Sequence, residues 1–179
     1  MKKVYKMTIA GLERELPLCE VTPNLDIAAF NMFGDVEITE KCATELLKIC
    51  PEHDIIVTAE AKGIPLCYEM ARQGCRNYVI ARKSVKVYMD NPISIDVKSI
   101  TTSAVQRLYL AEDKAQLIKG KRVLLVDDVI STGESLNAME ALVKKAGGII
   151  AGKAAVLAEG EAADRKDIFF LEPLPVFPK

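Results

Sequence analysis

Two adjacent carboxylates, Asp127 and Asp128, close an apolar run from Val123 to Val126, and a hydroxyl- and glycine-bearing turn follows them: Ser131-Thr132-Gly133, then Glu134 and Ser135. Neighbouring carboxylates can accept hydrogen bonds from the hydroxyls of a sugar and can offset positive charge that develops on it. A turn that opens a helix presents unpaired N–H groups and the positive end of the helix dipole, which suits an anion. The stretch can therefore hold a hydroxyl-rich sugar with its acids and a phosphate with its turn. The same residues also allow a structural use. Ser131 and Glu134 have the spacing of a capping box, and the acids could simply end a strand.

Two other phosphate motifs are excluded. A Walker loop places Gly-Lys before its Ser or Thr, and no lysine stands here. A dinucleotide fingerprint needs three spaced glycines, and only Gly133 is present. Three further segments carry groups suited to a polyphosphate or a base. Glu60-Ala61-Lys62-Gly63 puts a point charge at a helix entry. Arg82-Lys83, with Lys86, follows a short apolar run and can clamp phosphates. Glu159 ends the apolar run after the motif helix, and could face a ligand or cap the sheet edge.

These groups need a scaffold. Val123 to Val126 reads as a strand buried on both faces of a parallel sheet, and Leu136, Met139, Leu142 and Val143 as a helix closed by Gly147-Gly148. Upstream, a helix is expected from Thr39, as its cap, to Cys50, stopped by Pro51. A strand is expected over 54–60, a helix from Gly63-Ile64-Pro65 through Met70, and a short strand over 78–81. Strand, helix and strand at this spacing give right-handed βαβ units, hence an α/β fold with an open, mainly parallel twisted sheet flanked by helices. In such a sheet ligands sit outside the carboxyl ends of the strands, where all four segments fall. The region 84–112 is irregular and then hairpin-like, the pattern of a working loop or lid. Residues 112–118 suit a short helix. Residues 1–36 suit a small hood over the sheet, and the proline-bearing apolar tail an edge. One domain spanning 1–179 accommodates all of this.

The totals narrow the function. A net charge of −1 over 179 residues argues against a nucleic-acid surface. The five cysteines form no C-x-x-C pair and read as reduced residues of a cytoplasmic protein. His53 is the single histidine and sits in a polar connection, a poor place for a catalytic triad. No apolar stretch reaches membrane-spanning length, and no signal peptide is read at the N-terminus.

The layout of four hydrophobics, two acids, two hydrophobics and a small-Thr-Gly turn resembles the PRPP motif of type I phosphoribosyltransferases. Glu60-Ala61-Lys62-Gly63 is similar to the Glu-Ala-Arg-Gly of adenine and the Glu-Ala-Ser-Gly of xanthine phosphoribosyltransferases, and Ala81-Arg82-Lys83 to a segment of both. The Phe30-Asn31 region and 97–101 look closer to the xanthine enzymes. Gly160 departs from them, because they tend to carry a lysine after the acid matching Glu159. Ser131 departs from the hypoxanthine-guanine enzymes, which carry an Asp there, and Glu134 stands where Gly is common. The resemblance implies a purine salvage enzyme that moves ribose 5-phosphate from PRPP to a purine, adenine first, then xanthine, hypoxanthine or guanine. It assigns Asp127 and Asp128 to the ribose, and Ser131, Thr132, Gly133, Glu134 and Ser135 to the 5-phosphate. Ala61, Lys62, Gly63, Arg82, Lys83 and Lys86 fall to the pyrophosphate, and Phe30, Asn31 and Glu159 to the base. Mg²⁺ is the implied cofactor, held mainly by PRPP and water, and a homodimer the implied assembly. The rival from another class is a PRPP-sensing regulator without catalysis; a receiver-like domain is a third reading.

Overall fold

The apolar runs become strands in a computed structural model that describes residues 3–98 and 105–179. In chain order the elements are β1 (Val4–Ile9), β2 (Leu12–Thr22), β3 (Leu25–Ala28), α1 (Val36–Ile49), β4 (Ile55–Ala59), α2 (Ile64–Gln73) and β5 (Tyr78–Ala81). Then follow β6 (Ile93–Lys98), β7 (Val105–Leu110), α3 (Glu112–Ile118), β8 (Arg122–Ile130), α4 (Glu134–Lys145), β9 (Ile149–Glu159), β10 (Phe169–Leu174) and β11 (Val176–Pro178).

Strands β10-β9-β8-β4-β5 form a five-stranded sheet in that order, all its pairs parallel. Alternation along each strand sends successive side chains to opposite faces. Ile56, Leu124, Val126 and Val156 pack with Leu46 of α1 and Leu66 and Met70 of α2. Val57, Val123, Leu125 and Ala155 pack with Leu136, Met139 and Leu142 of α4 and with Ile118 of α3. Both faces are covered, which is why Val123 to Val126 is apolar without a break. Truncating a residue such as Leu124 or Leu125 would cost about 2–5 kcal/mol.

The N-terminal strands make a separate antiparallel sheet, β1-β2-β3-β11, in which the chain's end pairs with its beginning: Val176 lies opposite Ile27. Its Ile9, Leu16 and Ala28 join the same core face as α1 and α2. The apolar tail thus serves two sheets. β10, with Pro173, takes an edge of the parallel sheet, where a missing N–H is tolerated.

Three expectations are corrected. Helix α1 starts at Val36 and not at Thr39. Asp35 is its cap, accepting from Ile38 N and held by Arg14 Nε at 2.7 Å, while the Thr39 hydroxyl donates to the Asp35 carbonyl inside the first turn. Strand β8 runs past Val126 to Ile130, because β9 continues to pair with it through Asp127↔Ala155 and Ile130↔Ala158. The acids lie within the strand's last turn of pairing, not beyond it. Third, the strand read over 54–60 is shorter, Ile55–Ala59, which leaves Glu60 to open the turn. The hairpin forms between β6 and β7, with its first strand beginning at Ile93, three residues before the alternation that starts at Asp96. The part of the 97–101 similarity at 99–101 falls outside the described residues.

Candidate active site

The acid pair sits where β8 faces the turn between β4 and α2. Asp128 is buried, at 4% exposure, and Lys62 Nζ lies 2.8 Å from its Oδ2. The same ammonium group reaches toward the Phe30 carbonyl at 3.5 Å. Lys62 therefore ties the start of α2, the end of β8 and the segment after β3 into one cluster. Asp127 Oδ1 accepts from the Asp128 amide at 2.9 Å. Burial, and next the neighbouring Asp128 carboxylate, push the Asp127 carboxyl well above the ordinary carboxylate range, and Lys62 only partly offsets this.

The turn at 60–63 folds back tightly on β4 because it ends in glycine. A Cβ on Gly63 would meet Thr58 Oγ1 at 2.4 Å and the Asp127 Cα and Oδ1 at 3.5 Å. The turn at 131–133 uses glycine for another reason. Gly133 is the N-cap of α4 at φ 80°, a left-handed conformation that only glycine adopts without cost. This replaces the capping box: with Gly133 at the cap, Glu134 is already the first helical residue and Ser131 stands two residues before the cap. Gly133 offers no side chain to cap the helix, and the Glu134 amide donates to Thr132 Oγ1 at 3.5 Å.

Of the predicted cations, Lys62 joins the acids directly. Arg82 instead faces Glu60, with Nε 3.2 Å from Oε1, and Glu60 Oε2 accepts from the Lys83 amide at 2.5 Å. Glu60 thereby orders the 82–83 segment; its place in the sequence gave no sign of this role. The Lys83 side chain is exposed, and Lys86 Nζ donates to Ser84 Oγ at 2.7 Å. A cavity of about 930 Å³ along the outer side of β5 is lined by Arg82, Tyr88 and Glu112 and does not reach the acids. Of the residues read for a base, Phe30 is buried at 5% within the core, so its carbonyl and not its ring meets the cluster. Asn31 is exposed and its Oδ1 accepts from the Phe33 amide. Glu159 closes β9, paired in register with Leu174. Sequence reasoning missed Arg165, whose Nη1 lies 2.5 Å from where a Gly133 Cβ would stand. His53 precedes β4, at the other end of that strand from the 60–63 turn, its Nδ1 2.9 Å from the Pro51 carbonyl.

Residues 33–175 match the family model described as phosphoribosyl transferase domain. The chain belongs to this family. The type I phosphoribosyltransferase fold is also that of solved structures: the adenine phosphoribosyltransferase of Thermoanaerobacter pseudethanolicus aligns over 95% of both chains with a TM-score of 0.68, at 20% identity. At that identity the likeness concerns the fold alone. Among curated relatives, the purine biosynthesis transcriptional repressor PurR of Bacillus subtilis (strain 168) is 34% identical over 115 residues, which is 64% of this chain and 39% of the repressor. The hypoxanthine/guanine phosphoribosyltransferase of Methanotorris igneus is 37% identical over 128 residues, 70% of this chain and 66% of that enzyme. The match to the repressor thus spans about two fifths of its length.

Among the described residues, no group of three or more His, Cys, Asp or Glu gathers as a metal cage, and no helix is long and apolar enough to cross a membrane.

Proposed function

We propose that this phosphoribosyltransferase-family protein transfers ribose 5-phosphate from PRPP to a purine base, releasing pyrophosphate and a nucleoside monophosphate. The observation that carries the reading is the buried Asp128, paired with Lys62 at 2.8 Å, beside a helix-opening turn at Gly133. An oxocarbenium-like ribose gains from fixed negative charge, and Asp127 and Asp128 supply it while accepting from the ribose hydroxyls. The turn 131–135 holds the 5-phosphate. Ala61, Lys62, Gly63, Arg82, Lys83 and Lys86 serve the pyrophosphate, with Glu60 holding Arg82 in place. The 84–112 segment acts as a lid that excludes water, and the antiparallel sheet as a hood. The Phe30 backbone, Asn31 and Glu159 meet the base, adenine before xanthine, hypoxanthine or guanine.

Mg²⁺ fits this arrangement as an ion carried by PRPP: it commonly keeps waters, takes phosphate oxygens and needs only one or two protein carboxylates, and an acid pair is present. When bound it would neutralise charge on the departing pyrophosphate. We place the protein in the cytoplasm as a homodimer, consistent with five free cysteines.

A second reading is favoured by the repressor match: a sensor that binds PRPP without turnover. Both readings require PRPP to bind, so PRPP with Mg²⁺ should raise the melting temperature, by about 2.7 kcal/mol of stabilisation at a hundredfold excess over Kd. No shift at millimolar PRPP contradicts both. Pyrophosphate release with a purine separates the enzyme from the sensor.

A further inference from the structure

The turn 131–135 contains no cation of its own, although a 5-phosphate ester is close to a dianion. Helix-terminal amides and hydroxyls supply partial charge only. The fold brings a full charge to the turn from thirty residues further along. Arg165 Nη1 lies against Gly133, so near that a Cβ there would sit 2.5 Å away. The rest of that guanidinium is pinned: Asp167 accepts from Nε at 2.9 Å and from Nη2 at 2.8 Å. This bidentate pairing fixes the plane and turns Nη1 toward the turn. Asp167 is itself held. Lys153 of β9 lies 3.3 Å from it and 2.6 Å from Glu140 of α4, the helix that the turn opens. Arg165 is about one quarter exposed, so it is accessible at one side while its orientation is set from the other.

We propose that Arg165 is a phosphate-binding residue of this site, supplying the cation that the 131–135 turn lacks. The ligand class is a sugar 5-phosphate monoester. This rests on the proposed function, and it adds a residue outside every motif of the sequence. Asp167 is the positioning residue for that guanidinium.

Calorimetric titration of the purified protein with ribose 5-phosphate and, separately, with pyrophosphate tests this. One charge-assisted hydrogen bond lost gives about a 10- to 100-fold weaker Kd for ribose 5-phosphate in Arg165→Gln, and pyrophosphate affinity stays within about twofold. Arg165→Lys recovers part of the loss, since it keeps charge without the fork. Asp167→Asn, which keeps Arg165, weakens ribose 5-phosphate less than Arg165→Gln does. Parent-like ribose 5-phosphate binding by Arg165→Gln overturns the inference. So does an equal loss for both ligands, because that marks a merely structural arginine. Failure of the parent protein to bind ribose 5-phosphate or PRPP overturns the proposed function itself.

Discussion

The two glycine-ended turns that flank the acid pair solve the same problem in opposite ways. The turn at 60–63 carries its own cation, Lys62, and already spends it on Asp128 at 2.8 Å. The turn at 131–133 carries none and is approached by Arg165 from a distant segment. Gly63 has helical angles, φ −72° and ψ −11°, and is required by space, because Thr58 Oγ1 stands where a Cβ would go. Gly133 is required by its backbone, at φ 80°, with the mobile end of Arg165 beside it. One turn is thus constrained by the space beside β4, the other by the backbone that opens α4.

Breaking the part that the turns share should have the largest effect. Asp128→Asn is expected to lower turnover by about 100-fold or more, since a fixed charge aimed at the transition state is lost, while circular dichroism stays parent-like. Equal rates in parent and variant would remove Asp128 from the mechanism.

The glycines test the division of labour. Gly133→Ala forces a left-handed alanine, at about 1–2 kcal/mol, and pushes Arg165 away. Melting should fall by about 2–8 °C, and ribose 5-phosphate should weaken more than pyrophosphate. Gly63→Ala should show the reverse ligand order. If each variant weakens both ligands alike, the two turns do not divide the substrate between them.

The pH dependence sharpens the role of Lys62. Asp127 in the folded protein titrates above its unfolded value, so the native state binds more protons and its stability falls as pH rises from the ordinary carboxylate range through neutrality. Lys62 pulls that carboxyl down, so Lys62→Gln should extend the decline to higher pH, and Asp127→Asn should flatten it. Denaturation at several pH values between 4 and 9 reads this directly. Three parallel profiles would mean that the Lys62 charge does not act on the pair. The smallest effect lies away from both turns. Asp35→Ala should cost about 1 kcal/mol as the cap of α1, more than an equivalent change at the exposed Glu40.

What the sequence revealed was whatever is local. The βαβ units with their parallel sheet, the buried strand β8 and helices α2, α3 and α4 follow from periodicity and from Gly and Pro punctuation. The contiguous acids and the turn point to a sugar-phosphate site, and the fold joins them at the end of β8 and the start of α4. The start of α1 was misplaced because Thr39 and Asp35 are both good caps, and the choice is made by Arg14, twenty-one residues away. The capping box at Ser131 was a false lead because Gly133 takes a positive φ that spacing does not show. Phe30 falls to the base by resemblance, yet its ring is buried in the core. The Lys62–Asp128 pair, the Glu60–Arg82 pair and Arg165 are contacts between segments 20 to 70 residues apart or brought together by the sheet, and no motif spells them. β11, three residues that complete the opposite sheet, is invisible for the same reason.

Pyrophosphate release, measured with Mg²⁺ and PRPP against a panel of adenine, xanthine, hypoxanthine and guanine, tests the central claim most directly. The account predicts PRPP-dependent release with at least one purine, strongest with adenine, and its loss in Asp128→Asn. Binding of PRPP with no release for any base would contradict it and leave a sensor.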